Sequence, residues 1–168
     1  MALEISFRDA TLEDLPKIVE IYNSTIAGRM VTADTEPVTV ENRLKWFHEH
    51  NAAKRPLWVV ETSGEICGWV SLQDFYGRPA YQATAEVSIY LDEKFRGHGL
   101  GKTVLSKVIE TAPSCEVDTL LGFIFGHNEP SLRLFEKFGF EKWGHFSEVA
   151  TLDGAKRDLV IMGIKLHK

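Results

Sequence analysis

Apolar residues change period several times along this chain, and each change marks an element. Leu3, Ile5 and Phe7 alternate with polar neighbours and predict a first strand. Thr11 then reads as an N-cap with Asp14 three residues on, followed by Leu15, Ile18, Val19 and Tyr22 at helical spacing. Residues 24–38 lose all period and carry Thr32, Asp34, Thr35, Glu36 and Pro37, the composition of a loop. Thr39 opens a second helix bearing Leu44 and Phe47. Residues 57–62 read as a strand that turns back at Ser63-Gly64-Glu65 into a run over 66–75. A polar, aromatic connection over 76–82 leads to the strand 84–91. Its alternation puts Glu86, Ser88 and Tyr90 on one face and Val87, Ile89 and Leu91 on the other. Val104, Leu105, Val108, Ile109 and Ala112 give a helical stripe over 102–112. Residues 119–125 form an unbroken apolar run, as in a buried strand. Pro130 and Ser131 suit the start of a helix with Leu132, Phe135 and Phe138 along one stripe. Two extended stretches, near 146–152 and 159–166, flank the turn Asp153-Gly154.

The order is strand, two helices, a three-strand meander, helix, strand, helix and hairpin. It predicts an α+β fold with a single sheet and helices on both faces. With 168 residues and no internal repeat, linker or low-complexity segment, one domain over 1–168 is expected.

Composition narrows the class of function. The content of 44% hydrophobic and 26% charged residues is ordinary for a soluble globular protein. A formal net charge of −5 argues against broad nucleic-acid binding. No apolar run reaches the roughly 20 residues that span a bilayer, and the first residues carry no signal pattern. Cys67 and Cys115 lack metal or C-x-x-C spacing, so both read as small structural residues in a reduced, cytoplasmic protein. His48 and His50 flank Glu49 on what reads as a polar, solvated helix face, and the histidines offer no metal site.

The most informative chemistry lies at Arg96-Gly97-His98-Gly99-Leu100-Gly101, between the 84–91 strand and the 102–112 helix. A glycine-rich turn at a helix N-terminus presents unpaired N–H groups and the positive end of a dipole, and glycines let the backbone approach an anion. The turn therefore reads as a phosphate or pyrophosphate site, with a ligand-free connection as the alternative. The dinucleotide fingerprint needs G-x-G-x-x-G, and this turn reads G-x-G-x-G. Gly101-Lys102-Thr103 matches the end of a P-loop, but Arg96 stands where its first glycine belongs. The second candidate is Glu86, a charged residue on a strand that should be largely covered. An isolated carboxylate there is costly, so it reads as functional or as half of a structural ion pair.

Read as [RQ]-x-x-G-x-[GA], Arg96, Gly99 and Gly101 resemble the pyrophosphate loop of the GNAT superfamily of acyl-CoA-dependent N-acetyltransferases. Asn128, Ser131, Leu134 and the segment Phe138-Gly139-Phe140 resemble that superfamily's N-x-x-S-x-x-L-[YHF]-x-x-x-G-F segment. Arg78-Pro79-Ala80-Tyr81 before Thr84-Ala85-Glu86, with Thr35-Glu36-Pro37 and Ile21-Tyr22-Asn23 upstream, resembles the phosphinothricin and methionine sulfoximine N-acetyltransferase family.

The resemblance implies a mixed, mostly antiparallel sheet and acetyl-CoA as co-substrate, with no metal. It implies a small amine substrate acetylated at its α-amino group, and a homodimer. Acetylation of a protein N-terminus or a polyamine, or a non-catalytic acyl-CoA-binding module, are the alternatives. Coenzyme contacts fall by resemblance on Ile89, Leu91, Arg96, Gly97, His98, Gly99, Gly101, Lys102, Asn128 and Ser131. Substrate contacts fall on Arg78, Tyr81 and Thr35, and the general base on Glu86. A guanidinium at Arg78 matches a carboxylate bidentately, although a solvated surface arginine is the plainer reading of that residue alone. The chain departs from the motif at Phe135, where a proton-bearing Tyr or His is common, and this puts a side-chain general acid in doubt.

Overall fold

The structure, a computed structural model, describes residues 3–166. Strand β1 (Ser6–Asp9) leads into α1 (Leu15–Ser24), α2 (Val40–His48), β2 (Leu57–Thr62), β3 (Glu65–Asp74) and β4 (Thr84–Leu91). Then come α3 (Leu100–Thr111), β5 (Thr119–Phe125), α4 (Glu129–Lys137), β6 (Glu141–Leu152) and β7 (Ala155–Lys165). The strands form one seven-stranded sheet in the order β1-β2-β3-β4-β5-β7-β6. Only β4 and β5 run parallel, so the sheet is mixed and mostly antiparallel, as expected.

Side-chain alternation along the central strands sorts the core into two layers. Val70, Leu72, Ala85 and Val87 join Leu100, Val104, Leu105 and Val108 of α3 and Phe135 of α4 on one face. Trp69, Leu57 and Val59 join Leu15, Ile18, Val19 and Tyr22 of α1 on the other. Helices therefore cover both faces. The β5 strand is buried along nearly its whole length, consistent with its unbroken apolar sequence.

Local chemistry sets several boundaries. The Thr11 N–H donates to Asp14 Oδ2 at 2.7 Å and starts a short 3-10 turn, Leu12–Asp14, that feeds α1. Arg8 grips the same carboxylate with two bonds, 2.8 and 2.9 Å, and holds Asp14 below the usual carboxylate range. Thr39 caps α2 reciprocally with Asn42.

Three expectations shift. The first strand starts at Ser6, so Leu3 and Ile5 precede it. The last hairpin is longer than its apolar stretches, because β6 begins at Glu141 and is exposed along most of its length. Its pairing with β7 and two bulges, not an apolar pattern, define it. His50 lies beyond the end of α2 rather than on a solvated helix face. Its Nδ1 is 2.8 Å from the Trp46 carbonyl, its ring packs edge-on to Trp46, and burial pushes its pKa down.

Candidate active site

The site begins with a fork in the sheet. The β4–β5 ladder pairs Thr84 with Thr119, Ala85 with Leu120 and Glu86 with Leu121, and no further pair follows. On its other edge β4 pairs with β3 from Ala85 to Leu91. From Val87 onward, the β4 edge toward β5 therefore carries backbone donors and acceptors without a strand partner. Ile89 and Leu91 lie on this stretch. The closing side of the fork is Gly122 of β5, where a Cβ would stand 2.6 Å from the Phe135 ring. Phe135 also packs edge-on against Phe140 at 4.8 Å and is 7% exposed, so it is a wall of the core with no proton to give.

Beyond Leu91 the chain makes a 3-10 turn, Glu93–Phe95, held by Asp92 Oδ1 accepting from the Lys94 N–H. Arg96 is exposed, with a 3.4 Å contact to Glu93. Gly97 and Gly99 adopt φ of +85° and +70°, and a side chain at either would meet nothing within 4 Å. Both glycines thus serve left-handed backbone facing open space, and Gly99 is the N-cap of α3. The N–H groups of Leu100, Gly101 and Lys102 begin the helix without intrahelical partners. Gly101 is a glycine for another reason: a Cβ there would stand 3.0 Å from Leu134 Cδ2, so it lets α4 close on α3. His98 and Lys102 are exposed. Lys102 lies against Lys137, whose pKa this like charge pushes down. An open depression of about 510 Å³ along the outer side of α3 takes in Lys102 but none of the other groups at the fork.

At the opposite end of β4, Glu86 stands at the last paired position of the fork. Register places it beside Gln73 of β3, on the face shared with Ser71, Ser88, Trp69 and Tyr90. Among the described residues no hydrogen bond or ion pair reaches its carboxylate, and burial alone pushes its pKa up. The ion-pair reading of Glu86 therefore finds no partner. Gln73 Nε2 donates to Ser88 Oγ at 3.2 Å, and the buried Ser71 hydroxyl has no described partner. Tyr90 stacks on Trp69 at 4.7 Å and lies 5.0 Å from Tyr22. Burial pushes its phenol above the usual range, so it stays protonated.

The loop between α1 and α2 folds over this face. The Tyr22 hydroxyl lies 2.5 Å from Thr32 Oγ1 and donates to Asp34. Arg43 sits 4.5 Å over the Tyr22 ring and 3.3 Å from the Asp34 carboxylate. Thr32 and Asp34, rather than Thr35, thus join the polar cluster. Thr35 is exposed, and its carbonyl accepts from Arg29 Nη1 at 3.1 Å.

Asn128 is buried with both ends of its amide engaged: Oδ1 accepts from the Ser131 N–H at 3.3 Å and caps α4, and Nδ2 donates to the Met30 carbonyl at 3.0 Å. His127 Nε2 is 2.8 Å from the Arg29 carbonyl, so the proton sits on Nε2. These bonds tie the α1–α2 loop to the start of α4.

Arg78 and Tyr81 lie on the loop between β3 and β4. Arg78 is exposed and precedes the 3-10 turn Pro79–Tyr81. Tyr81 packs edge-on against Phe75 and Tyr76, at 5.7 and 5.9 Å. Sequence reasoning missed the Tyr22–Asp34–Arg43 cluster and Arg55, which is bonded to both ends of the Arg78 loop. Among the described residues no group of three His, Cys, Asp or Glu side chains is placed to hold a metal ion, and no helix is long and apolar enough to cross a membrane.

Comparison with known proteins agrees with this geometry. Residues 17–140 match the acetyltransferase (GNAT) family. The chain is 53% identical over 163 residues to YwnH of Bacillus subtilis strain 168, which carries the name phosphinothricin acetyltransferase as a provisional assignment; 96% of this chain and 99% of that one are covered. It is 31% identical over 165 residues to the L-methionine sulfoximine/L-methionine sulfone acetyltransferase of Pseudomonas paraeruginosa, covering 98% and 96% of the two chains. A phosphinothricin acetyltransferase from Sinorhizobium meliloti, solved in complex with acetyl-CoA, superposes with a TM-score of 0.90 at 27% identity over 96% of this chain and 88% of that one.

Proposed function

The chain belongs to the GNAT acetyltransferase family, and from that premise we propose that it moves the acetyl group of acetyl-CoA to the α-amino group of a small amino-acid-like substrate of the phosphinothricin or methionine sulfoximine type. The observation that carries this reading is Glu86, a partly buried carboxylate at the vertex of the fork with no partner among the described residues. A general base works best with a pKa near the operating pH, and burial moves Glu86 in that direction.

The residues present fit acetyl-CoA. The open turn at Arg96, Gly97, His98, Gly99 and Leu100 and the N-terminus of α3 suit a pyrophosphate. The close pair of Lys102 and Lys137 gains from a neighbouring anion. The unpaired β4 edge at Ile89 and Leu91 offers backbone groups to an extended arm. Asn128 and Ser131 fix the start of α4 beside that edge. When bound, acetyl-CoA supplies an activated thioester.

On the amine side, Arg78 meets the substrate carboxylate and Tyr81 walls the pocket, with Thr35 at the loop's outer margin. An α-amino group with pKa near 8 is mostly protonated at neutral pH. Glu86 takes one of its protons, directly or through water. The nitrogen lone pair then forms the C–N bond as the C–S bond breaks, the second N–H proton passes to water to leave the neutral amide, and the β4 N–H near Ile89 faces the charge gathering on the carbonyl oxygen. Phe135 donates nothing, so the thiolate leaves unassisted or takes its proton from water.

We read residues 1–168 as one such domain, acting in the cytoplasm as a homodimer. The single continuous sheet supports one domain. Exposed Trp143, Phe146 and Val149 on β6 support an apolar contact with a second copy. The testing experiment is thiol release from acetyl-CoA across a panel of free α-amino acids, phosphinothricin, methionine sulfoximine, their amides, polyamines and peptide N-termini. Turnover with free α-amino acids and loss of turnover with the amides is the expected result. Turnover confined to polyamines or peptides would contradict it.

A further inference from the structure

Arg55 sits at a junction that the proposed reaction does not use directly. It is 9% exposed, and its three guanidinium nitrogens are all bonded. Nε donates to Asp74 Oδ1 at 2.5 Å, Nη2 to the Gln82 carbonyl at 2.7 Å and Nη1 to the Lys54 carbonyl at 2.8 Å. Asp74 ends β3, and Gln82 follows the 3-10 turn Pro79–Tyr81. One side chain therefore closes the neck of the loop that carries Arg78 and Tyr81.

The base of this side chain is rigid. Arg55 and Asn51 exchange backbone bonds of 2.9 and 3.1 Å, and the neighbouring Pro56 carbonyl accepts from the Leu72 N–H at 3.1 Å. The loop itself is not relaxed. Tyr76 and Gly77 both take φ of +65°, left-handed backbone that strains Tyr76 and suits Gly77. A Cβ on Gly77 would lie 3.9 Å from Asp74 Oδ2, so the strained turn folds directly onto the carboxylate that Arg55 holds. The Arg78 carbonyl accepts from the Tyr81 N–H at 2.9 Å, and its guanidinium has no partner among the described residues to fix its place.

We propose that Arg55 is a positioning residue that sets the 75–83 loop, and through it Arg78 and Tyr81, for capture of the substrate carboxylate. The inference rests on the reading of that loop as the amine-substrate side. A fork-shaped donor that bonds Asp74 and the Gln82 carbonyl together is something arginine supplies and lysine cannot reproduce.

Arg55→Met, Arg55→Lys and Asp74→Asn are compared with the wild type for amino-acid KM, acetyl-CoA KM, kcat and thermal midpoint. Arg55→Met is expected to raise the amino-acid KM tenfold or more with acetyl-CoA KM within twofold, and Arg55→Lys to fall between it and wild type. Asp74→Asn, at an exposed carboxylate, keeps the test open if Arg55→Met fails to fold, and is expected to raise the same KM about threefold. Combining Arg55→Met with Arg78→Ala is expected to add little to either alone, because both remove one interaction.

A substrate-free readout is chymotrypsin cleavage at Tyr76 and Tyr81, expected to quicken several-fold in Arg55→Met before the rest of the chain is cut. Unchanged loop cleavage, equal rises in both KM values, or penalties for Arg55→Met and Arg78→Ala that multiply would each overturn the proposal. Failure of the broader reading is seen separately, as wild-type protein that releases no thiol with any α-amino acid.

Discussion

At its Leu91 end β4 runs into a turn whose useful groups are backbone N–H donors, contributed by a few consecutive residues around Gly99. Along the face that carries Glu86 and Tyr90 the same strand meets side chains gathered from far along the chain: Gln73 from β3 beside Glu86, and Tyr22, with its partners Thr32, Asp34 and Arg43 from the first two helices and their loop, against Tyr90. The turn is made by local conformation and the face by tertiary assembly. In the reading advanced above, the first holds an anion common to every reaction of the family, and the second selects the amine.

The largest expected effect breaks the amine-selecting face alone. Glu86→Gln keeps the shape and removes the basic lone pairs, so kcat should fall roughly 10²–10⁴-fold with acetyl-CoA KM nearly intact. Arg78→Ala should raise the amino-acid KM about thirtyfold, or about 2 kcal/mol, the lower part of the range for a paired charge because Arg78 starts exposed. Steady-state kinetics with both substrates varied checks each.

Gly99→Val and Gly101→Ala sharpen the comparison within the coenzyme turn. Gly99→Val forces a β-branched residue into left-handed backbone, at a cost of roughly 1–2 kcal/mol, and should raise the acetyl-CoA KM about tenfold while sparing the amino-acid KM. Gly101→Ala meets Leu134 at 3.0 Å and should instead lower the thermal midpoint through overpacking of α3 against α4. If Gly101→Ala raised the acetyl-CoA KM without loss of stability, its glycine would be serving the ligand rather than the packing. The smallest effect belongs to Phe135→Leu. A wall residue should cost less than threefold in kcat, whereas about a hundredfold, the scale of lost acid catalysis, would show that the leaving-group side has been misassigned.

Particular residues show why the sequence was legible in one region and less so in the other. Gly97 and Gly99 belong to one short glycine-rich run that is visible without any tertiary contact, and the alternation over Thr84–Leu91 places Glu86 on its face by period alone. Arg55 gives no such signal, because its partners Asp74 and Gln82 lie 19 and 27 residues away. Asp34 and Arg43 read as loop and helix surface until the fold brings them onto Tyr22. The early residues of β6 escape a hydrophobic reading because that strand is exposed along most of its length and is held by pairing with β7. Gly101 sits within a glycine motif, yet its contact is with Leu134, a distinction that only tertiary packing reveals.

Glu86 also links function to stability. Its folded pKa is raised above the unfolded value, so between those two values the folded state binds more protons than the unfolded one. Stability then falls as pH rises through that window, and the loss is complete above the folded pKa. Glu86→Gln should consequently be more stable than wild type at neutral pH, with the difference vanishing near pH 4, as denaturant unfolding at the two pH values would show.

The most direct measurement is kcat against pH for wild type and Glu86→Gln with one good amino-acid substrate at saturating acetyl-CoA. Wild-type kcat should rise through an apparent pKa above the ordinary carboxylate range, because Glu86 accepts the proton only when ionised and burial has raised its pKa. Glu86→Gln should start far lower and climb about tenfold per pH unit toward the amine's pKa, as the substrate arrives already deprotonated. Parallel profiles with near-normal kcat in Glu86→Gln at neutral pH would remove Glu86 from proton transfer and contradict the account.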